Sequence, residues 1–348
     1  MLAAEPDFQN PLLTFEFAAA VAAVREDARV AVFRRGGRIV GFLAHHRRPG
    51  GLARPIGAPF SDYHALISKP DPGFTAAEAL CAAQIRVFRF AGLIDPWRIF
   101  GANENVSQGY KIVLQSGPEA HLAAVRSRGP QQWKTWAKRQ RRLERDHGAM
   151  TVNPDNNSQA ALHRLFEWKS AQLSASGLHD VLRPSWVQKL MTGLHGKDAR
   201  DLAGVLSTLE VAGEPIAGNF GVRSGERFHS WIIAYDPRFK SYSPGSLLQL
   251  ENIRAMPQLG LGSWDIGGGD DAAKSLIAFE TTRTAAGSAS SDGRAPSGHR
   301  ASLPAPISRI GRRFDHIAAA EPTLPGRISG VVSLLLGAKH RLSAKSGS

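Results

Sequence analysis

A helix start with exposed backbone donors is the first feature of this sequence that could do chemistry. It reads Ser243-Pro244-Gly245-Ser246 and is followed by two leucines. Ser243 is a favourable N-cap, and Pro244 suits the first helical position because an N–H there would have no partner. Gly245 and Ser246 then leave bare N–H groups pointing out of the helix, an arrangement that binds phosphate. We therefore predict a pyrophosphate site at these four residues, with Lys240 beside it. The alternative is an ordinary capped helix that binds nothing.

A glycine-rich turn flanked by acidic and basic residues is the second candidate. Asp265 lies in a short apolar run that predicts a strand, and Gly267–Gly269 permits a tight turn or a close backbone approach. Asp270 follows, and Lys274 lies one helical turn further on. Asp265 and Asp270 are candidates for a general base or for binding an amine, and Lys274 for binding an anionic group. The alternative is an Asp-capped turn with an ion pair to the lysine.

Four further residues are candidates for substrate binding. His229 falls in a predicted strand and Asn219 at the end of a predicted hairpin, where each either lines a cleft or has a structural role. Arg139 and Arg142 belong to a strongly basic helix over Gln131–His147. That helix offers a platform for an anionic acceptor or for a donor's phosphates. A solvated face, or a surface for nucleic acid or lipid, are the alternatives.

Several other chemistries have no motif here. The 12 histidines show no metal-ligand spacing, and one cysteine, Cys81, excludes a cysteine cluster and an intramolecular disulfide. HExxH, GxSxG, the Walker loop and GxGxxG are all absent. We therefore expect no bound metal and no permanently bound cofactor. We also expect Cys81 to be a buried small hydrophobe.

The elements that position these residues form a degenerate repeat. Arg29–His45 and Gly204–Val222 each read as an apolar strand, a glycine-containing turn and a second strand, which predicts two hairpins. A third strand and a helix follow each hairpin: Ala65–Ile67 with Thr75–Phe90, and His229–Ala234 with Ser246–Met256. Two copies of strand, strand, strand, helix predict duplicated α/β domains.

Helices are predicted between the two halves. In Gln131–His147, one mostly apolar face is formed at helical spacing by Trp133, Trp136, Leu143 and the polar Gln140. Ala160–Ser176 is a second amphipathic helix, and its inner face includes Lys169.

Five segments, taken in order, resemble FemAB-like and CelD-like proteins of the Gcn5-related N-acetyltransferase (GNAT) superfamily. YDPRFKSYSPGSLL (Tyr235–Leu248) is similar to the strand, loop and helix start of that family. GEPIAGNF (Gly213–Phe220) resembles its preceding hairpin, and WDIGGGDDAAK (Trp264–Lys274) its closing motif. Arg139–Gly148 and Glu167–Gly177 are similar to its central helices. The resemblance covers about residues 20–280.

The resemblance implies two tandem GNAT-like domains in an α/β fold, with an acyl donor held in the second. It implies acyl transfer from a thioester, acyl-CoA, to an amine or hydroxyl of a sugar or polysaccharide precursor by direct attack in a ternary complex. An aminoacyl-tRNA-dependent transferase and an inert scaffold in polysaccharide synthesis are the alternatives. Two departures from the sequence pattern of the family leave the identities of the acyl donor and the acceptor open. Lys240 is followed by Ser-Tyr-Ser-Pro-Gly-Ser instead of the usual phosphate loop, and Ala273 replaces a frequent aromatic.

Chain length and the composition of the C-terminal segment indicate how the chain divides into domains. The 348 residues suit two domains, which we place at 1–130 and 131–284. Residues 285–348 read as a flexible basic tail, since Ala285–Pro306 is rich in Ser, Gly, Ala and Pro. Truncation after Thr284 is therefore expected to leave the melting temperature nearly unchanged, although Ile307–Ala320 and Gly326–Arg341 have the pattern of short helices. With no signal-peptide pattern and no apolar run of about 20 residues, we expect a cytoplasmic protein.

Overall fold

A computed structural model describes residues 5–101, 106–197, 201–269, 272–294 and 305–332, with the backbone alone for 305–312. The strands are β1 Ala28–Arg35, β2 Arg38–Arg47, β3 Leu52–Pro55, β4 Leu66–Ser68, β5 Val87–Leu93, β6 Val106–Val113, β7 Met150–Asn153, β8 Ala203–Val211, β9 Glu214–Ser224, β10 Arg227–Tyr235, β11 Ser263–Gly268 and β12 Glu280–Ser290. The helices are α1 Phe15–Ala22, α2 Ala76–Ala82, α3 Pro118–Arg128, α4 Pro130–His147, α5 Gln159–Ala175, α6 Ser185–Leu194, α7 Pro244–Ala255, α8 Ala272–Ile277 and α9 Ala305–Ala320.

The chain forms two compact units. The first comprises Met1–Gln108, Leu173–Leu190 and Arg283–Ser348, and the second Gly109–Gln172 and Met191–Thr282. The domain limits expected from the sequence divide the chain into consecutive stretches, whereas these units are interleaved along it.

The first unit contains strands in the order β1-β2-β3-β5-β12, with β4 on β2. The hairpin predicted at Arg29–His45 is present as β1 and β2, which pair antiparallel. Apolar side chains of the strands pack on α2, and the core includes Leu43, Leu80 and Phe88, all fully buried. In β5, buried Phe88 and Phe90 alternate with exposed Arg89 and Ala91, which is the pattern of a sheet with one covered face.

The C-terminal part of the chain adds to this unit. Ala285–Ser290, predicted as the start of a flexible linker, pairs with β5 as part of β12. Main-chain hydrogen bonds to a neighbouring strand order this segment although its side chains are small. The predicted short helix is present as α9, residues 324–332 are also helical, and Ile317 is 1% exposed. Residues 295–304 and 333–348 lie outside the described part of the chain.

The second unit contains strands in the order β6-β11-β10-β9-β8-β7, antiparallel except for β10 and β11. The second predicted hairpin is present as β8 and β9. Trp136 and Leu143 of α4 are buried in a core shared with α7, Phe228 and Trp264, which confirms the predicted apolar face of that helix.

Two local predictions were wrong. The helix expected over Thr75–Phe90 ends at Ala82, because Val87–Leu93 pairs with β3 and β12 as β5. Cys81 is exposed, since the buried face of α2 is formed by Ala76, Ala79 and Leu80. Among the described helices, none combines the length and apolar character needed to cross a bilayer.

Candidate functional site

A gap between two parallel strands organises the candidate site, which lies within the second unit. β10 pairs with β11 at three positions only, from Arg227 opposite Ser263 to His229 opposite Asp265. Just beyond, a bulge interrupts the pairing of β10 with β9 between Ser230 and Ile232. A bulge bends its strand, and here β10 continues to Tyr235 without pairing further with β11.

Gly221 allows this bulge to form. A Cβ at that position would lie 2.1 Å from the carbonyl oxygen of His229, so the backbone of β10 approaches closer than any side chain permits. Side chains of a strand alternate between the two faces of a sheet, and the extra residue in the bulge reverses this alternation for the rest of β10. Phe228 packs in the core with α7 before it, and Ile233 lies beneath the start of α7 after it.

Ile233 presents its backbone to the gap. The N–H of Asp236 donates to the carbonyl of Ile216 in β9, and in an antiparallel ladder such bonded positions alternate. The N–H and C=O of Ile233 therefore point away from β9, towards the β11 side. Its carbonyl accepts a hydrogen bond from Nζ of Lys169 at 3.4 Å. The N–H of Ile233 thus faces the opening.

The start of α7 lies on one face of this gap. A Cβ at Gly245 would be 3.8 Å from Cδ1 of Ile233 and 3.7 Å from Cδ1 of Tyr235. Pro244 occupies the first helical position, as predicted. The N–H of Gly245 has no acceptor within the described residues, whereas the N–H of Ser246 donates to the carbonyl of Ser243. One bare donor remains at this helix start, where two were expected.

Ser243 precedes α7 but does not cap it through its side chain. Its backbone is left-handed, with φ 54° and ψ 52°, so its hydroxyl does not bond the first-turn N–H groups. The hydroxyl oxygen instead accepts a hydrogen bond from the guanidinium of Arg139 on α4. This contact brings a positive charge to the helix start. Lys240 lies exposed in the preceding 3₁₀ turn, Pro237–Tyr242.

Arg142, one turn along α4, is held elsewhere. Its guanidinium lies 5.0 Å from the ring centre of Tyr242 and pairs with Asp146 at 3.4 Å. The Tyr242 hydroxyl donates to Asp146, and this hydrogen bond lowers the pKa of the Asp146 carboxyl and raises that of Tyr242. Arg142 is thus already engaged in a network joining α4 to the turn before α7.

His229 and Asp265 form a buried pair on the opposite face of the sheet. His229 is 0% exposed and Asp265 is 4% exposed. Each follows a residue, Phe228 or Trp264, that faces α7, and successive side chains of a strand point to opposite faces of the sheet. Nδ1 of His229 lies 3.4 Å from Oδ1 of Asp265. The same oxygen accepts the N–H of Gly267 at 2.8 Å, so the first glycine of the turn orients the carboxylate.

Two lysines lie near the same gap. Nζ of Lys274 donates to the carbonyl of Gly268 at 2.8 Å, which ties α8 to the end of β11. Burial lowers the pKa of Lys169, and the charge of Lys274 lowers it further. Asp270 lies outside the described residues. We had not predicted Lys169 as a site residue, although a lysine on the apolar face of an amphipathic helix was a visible signal.

Asn219 is buried without a hydrogen-bond partner for its amide. It is 1% exposed, and neither Nδ2 nor Oδ1 has a partner among the described residues. It lies opposite Ile233, so both side chains project to the α7 face. Leaving a buried amide unpaired is costly, and such a group is expected to have a ligand or water as its partner.

The domain and fold of this region have known relatives. Residues 131–275 match the family profile of the acetyltransferase (GNAT) domain. The crystal structure of FemX is 11% identical and covers 80% of this chain and 90% of its own, with a TM-score of 0.50, which shows a shared fold. A tandem GNAT protein from the clavulanic acid biosynthesis pathway is 10% identical, covering 78% of this chain and 87% of its own, with a TM-score of 0.43.

A GCN5-related N-acetyltransferase from Kribbella flavida is 12% identical and covers 83% of this chain and 98% of its own, with a TM-score of 0.38. No curated protein matches the sequence. The profile match confirms the predicted GNAT domain at residues 131–275, and the structure shared with FemX confirms the predicted α/β fold.

Proposed function

Because residues 131–275 carry an acetyltransferase (GNAT) domain, we propose that the protein transfers an acyl group from acyl-CoA to an amine or hydroxyl of a sugar or polysaccharide-linked acceptor. The observation that carries this proposal is the gap between β10 and β11 with the start of α7 on one face and the His229–Asp265 pair on the other. The donor enters on the α7 face, and the acceptor meets the thioester from the opposite face.

The donor's pyrophosphate binds at the start of α7. The N–H of Gly245 and the positive end of the helix dipole attract anions, and the Arg139 guanidinium beside Ser243 adds a full charge. Exposed Lys240 adds a second. Pro244 and Ser246 shape this turn, because the proline leaves Gly245 as the first residue with an N–H. The nucleotide end of acyl-CoA thus remains at the helix start while the thioester reaches the gap.

The thioester carbonyl lies against the exposed backbone of β10. Attack by the acceptor places negative charge on the carbonyl oxygen, and a fixed N–H that points at this oxygen stabilises the transition state. The N–H of Ile233 is the donor that the gap leaves available. The unpaired amide of Asn219 lies on the same face and offers a second N–H to the acyl group.

The acceptor loses its proton on the other face. The attacking nitrogen or oxygen forms a bond to the acyl carbon, the carbon–sulfur bond breaks, and the thiolate leaves with the electron pair. Asp265 orients His229, which accepts the acceptor's proton through a water, and a proton returns to the thiolate. In the sequence, Asp270 and Lys274 follow the glycine turn that comes after Asp265. The sugar class of the acceptor rests on the resemblance to CelD-like proteins.

Substitution of Gly245 tests the donor site. A Cβ fits there at ordinary contact distance, and the first turn of a helix tolerates Val at about 1 kcal/mol or less. We expect Gly245→Val to weaken acetyl-CoA binding, measured by calorimetry, by at least about tenfold, because its branched side chain covers the N–H. Gly245→Ala is the matched control and should stay within about threefold of the wild type.

Undiminished affinity in a folded Gly245→Val protein would remove α7 from the donor site. If the unmodified protein binds no acyl-CoA, a donor carried on tRNA, or a scaffold without catalysis, explains the domain better.

A second experiment tests the class of acceptor. It measures the rate at which free CoA thiol is released in the presence of an amino-sugar oligosaccharide or of a simple alkyl amine. Equal rates with both would contradict a carbohydrate acceptor.

A further inference from the structure

A cavity of about 550 Å³ in the first unit runs along one edge strand. Residues 29–35 of β1 form one wall, and α2 with the turn at Gly73 and Phe74 forms the other. His45 and Arg47 of β2 lie at the Arg29 end. We call this cavity the edge groove. All of its lining residues belong to the first unit.

Along the groove, the outer edge of β1 has no strand partner within the described part of the chain. β1 is the last strand in its sheet, and the N–H of Arg47 donates to the carbonyl of Asp27 at 2.8 Å. Because bonded positions alternate in an antiparallel ladder, the N–H and C=O groups of Val30 and Val32 face the outer edge. Both valine side chains are 46% exposed. A long edge with free donors and acceptors is a template for another strand.

The residues that line the groove carry a net positive charge. Four arginines line it, Arg29, Arg34, Arg35 and Arg47, and the acidic lining residue is Glu78. None of these guanidinium groups forms an ion pair with a carboxylate in the described part of the chain. Two are instead held by backbone carbonyls: Arg29 by Glu26 and Ala28, and Arg35 by Gly73. Glu78 is engaged at the start of α2, where it accepts the N–H of Thr75.

We propose that the edge groove binds an extended acidic peptide segment, which adds to β1 as a further strand. Seven residues of β1 span roughly 23 Å, the length of a peptide strand. Main-chain hydrogen bonds to Val30 and Val32 would supply affinity, and apolar side chains would pack on Phe33 and Ala79 in the middle of the groove. Carboxylates at both ends of the peptide would meet the arginines.

Charge disfavours two other occupants. A second copy pairing antiparallel through β1 would place Arg29 opposite Arg34 and Arg35, and like charges across a strand pair are destabilising. The last 16 residues of this chain, 333–348, contain three Lys or Arg and no Asp or Glu. Neither therefore complements the groove, whereas an acidic segment of a different protein does.

The test uses the full chain and a fluorescein-labelled peptide of seven residues, with Val-Thr-Val flanked by two Glu on each side. We expect fluorescence anisotropy to show saturable binding at low salt, about 50 mM, that weakens as salt rises. Val32→Pro should weaken binding roughly fivefold, because it removes one edge N–H, while proline is tolerated where the N–H faces outward. Val32→Ala keeps that N–H and should stay within about twofold.

A double substitution, Arg34→Gln with Arg47→Gln, should weaken peptide binding at least about tenfold at low salt and reduce its salt dependence. This variant tests the charge of the groove independently of the proline variant. Absence of binding by the wild type up to about 1 mM would overturn the proposal. So would equal affinity for a peptide with Lys in place of Glu. Binding that survives Val32→Pro in a folded protein would overturn strand addition and indicate a site for small anions.

Discussion

Arg139 and Arg142 lie three residues apart on α4, yet their surroundings give them different tasks. Arg139 reaches Ser243 at the start of α7, where a donor's phosphates are proposed to bind. Arg142 pairs with Asp146 and stacks on Tyr242. The residue type is the same in both cases, so the position of each on the helix decides its partner.

This difference predicts a sharp contrast between two matched substitutions. Arg139→Gln should weaken acetyl-CoA binding about tenfold or more, because a hydrogen bond to a charged group contributes about 1.5–3 kcal/mol. The loss should be largest at low salt. Arg142→Gln should change affinity by less than about twofold. Calorimetry on both variants at two salt concentrations measures the effect, and equal losses would show that α4 acts only through its overall charge.

At the scale of elements, α9 shows how a helix of the C-terminal segment becomes part of the first unit. Nε1 of Trp186 donates to the carbonyl of Ala320 at 2.9 Å, and Arg48 donates to the carbonyl of Ala319 at 3.2 Å. These donors satisfy carbonyls at the end of the helix, which have no partner within it. The positive charge of Arg48 also suits the negative end of the helix dipole.

The packing of α9 replaces our expectation that truncation after Thr284 leaves stability unchanged. Ile317→Ala should lower the free energy of unfolding by about 2–4 kcal/mol, because this side chain is 1% exposed. Leu324→Ala is the control on the same segment, since Leu324 is 69% exposed, and should change it by less than about 0.5 kcal/mol. Urea denaturation of both variants provides the measurement. Equal effects would show that α9 does not contribute to the core.

At the scale of the whole molecule, buried neutral histidines make stability depend on pH. Burial lowers the pKa of His64 to about 3, and its ring nitrogens have no partner among the described residues. Burial also lowers the pKa of His46 to about 4. Nε2 of His46 accepts the N–H of Gly57, so a proton on that nitrogen would break this hydrogen bond.

The direction of the pH effect follows from these values. Both folded pKa values lie below the unfolded value of 6.5, so the unfolded chain binds protons first as pH falls. The stabilisation is complete above about pH 6.5 and is lost towards pH 4 for His46 and pH 3 for His64. At pH 5 each histidine should lower the free energy of unfolding by about 2 kcal/mol.

His64→Leu tests this dependence. The variant should show a shallower fall in the free energy of unfolding between pH 7 and pH 5 than the wild type, by about 2 kcal/mol, because leucine binds no proton. His163→Leu, which removes an exposed imidazole, is the variant with which the slope of His64→Leu is compared. Urea titrations at both pH values measure the slope. A His64→Leu slope equal to the wild type would mean that His64 is not a buried neutral group.

The sequence by itself determined those helices and turns whose apolar spacing and turn residues agree with their place in the fold. The turns of β1–β2 and β8–β9 lie where glycine separates alternating apolar runs, and α4 buries the predicted Trp136 and Leu143. Pro244 also opens α7 as predicted. Periodicity and turn chemistry act over a few residues, so they can be read along the chain.

The tertiary structure alone decided what depends on distant neighbours. Ala285–Ser290 is a strand because β5 supplies its hydrogen-bond partners. The helix predicted over Thr75–Phe90 is shorter than expected because the residues from Val87 onwards form β5. His229 and Asp265 meet only when β10 and β11 align, and the bulge after Ser230 opens the gap beside Ile233. Such contacts arise from strand register and packing across the sheet, and neither is encoded in the spacing of neighbouring residues.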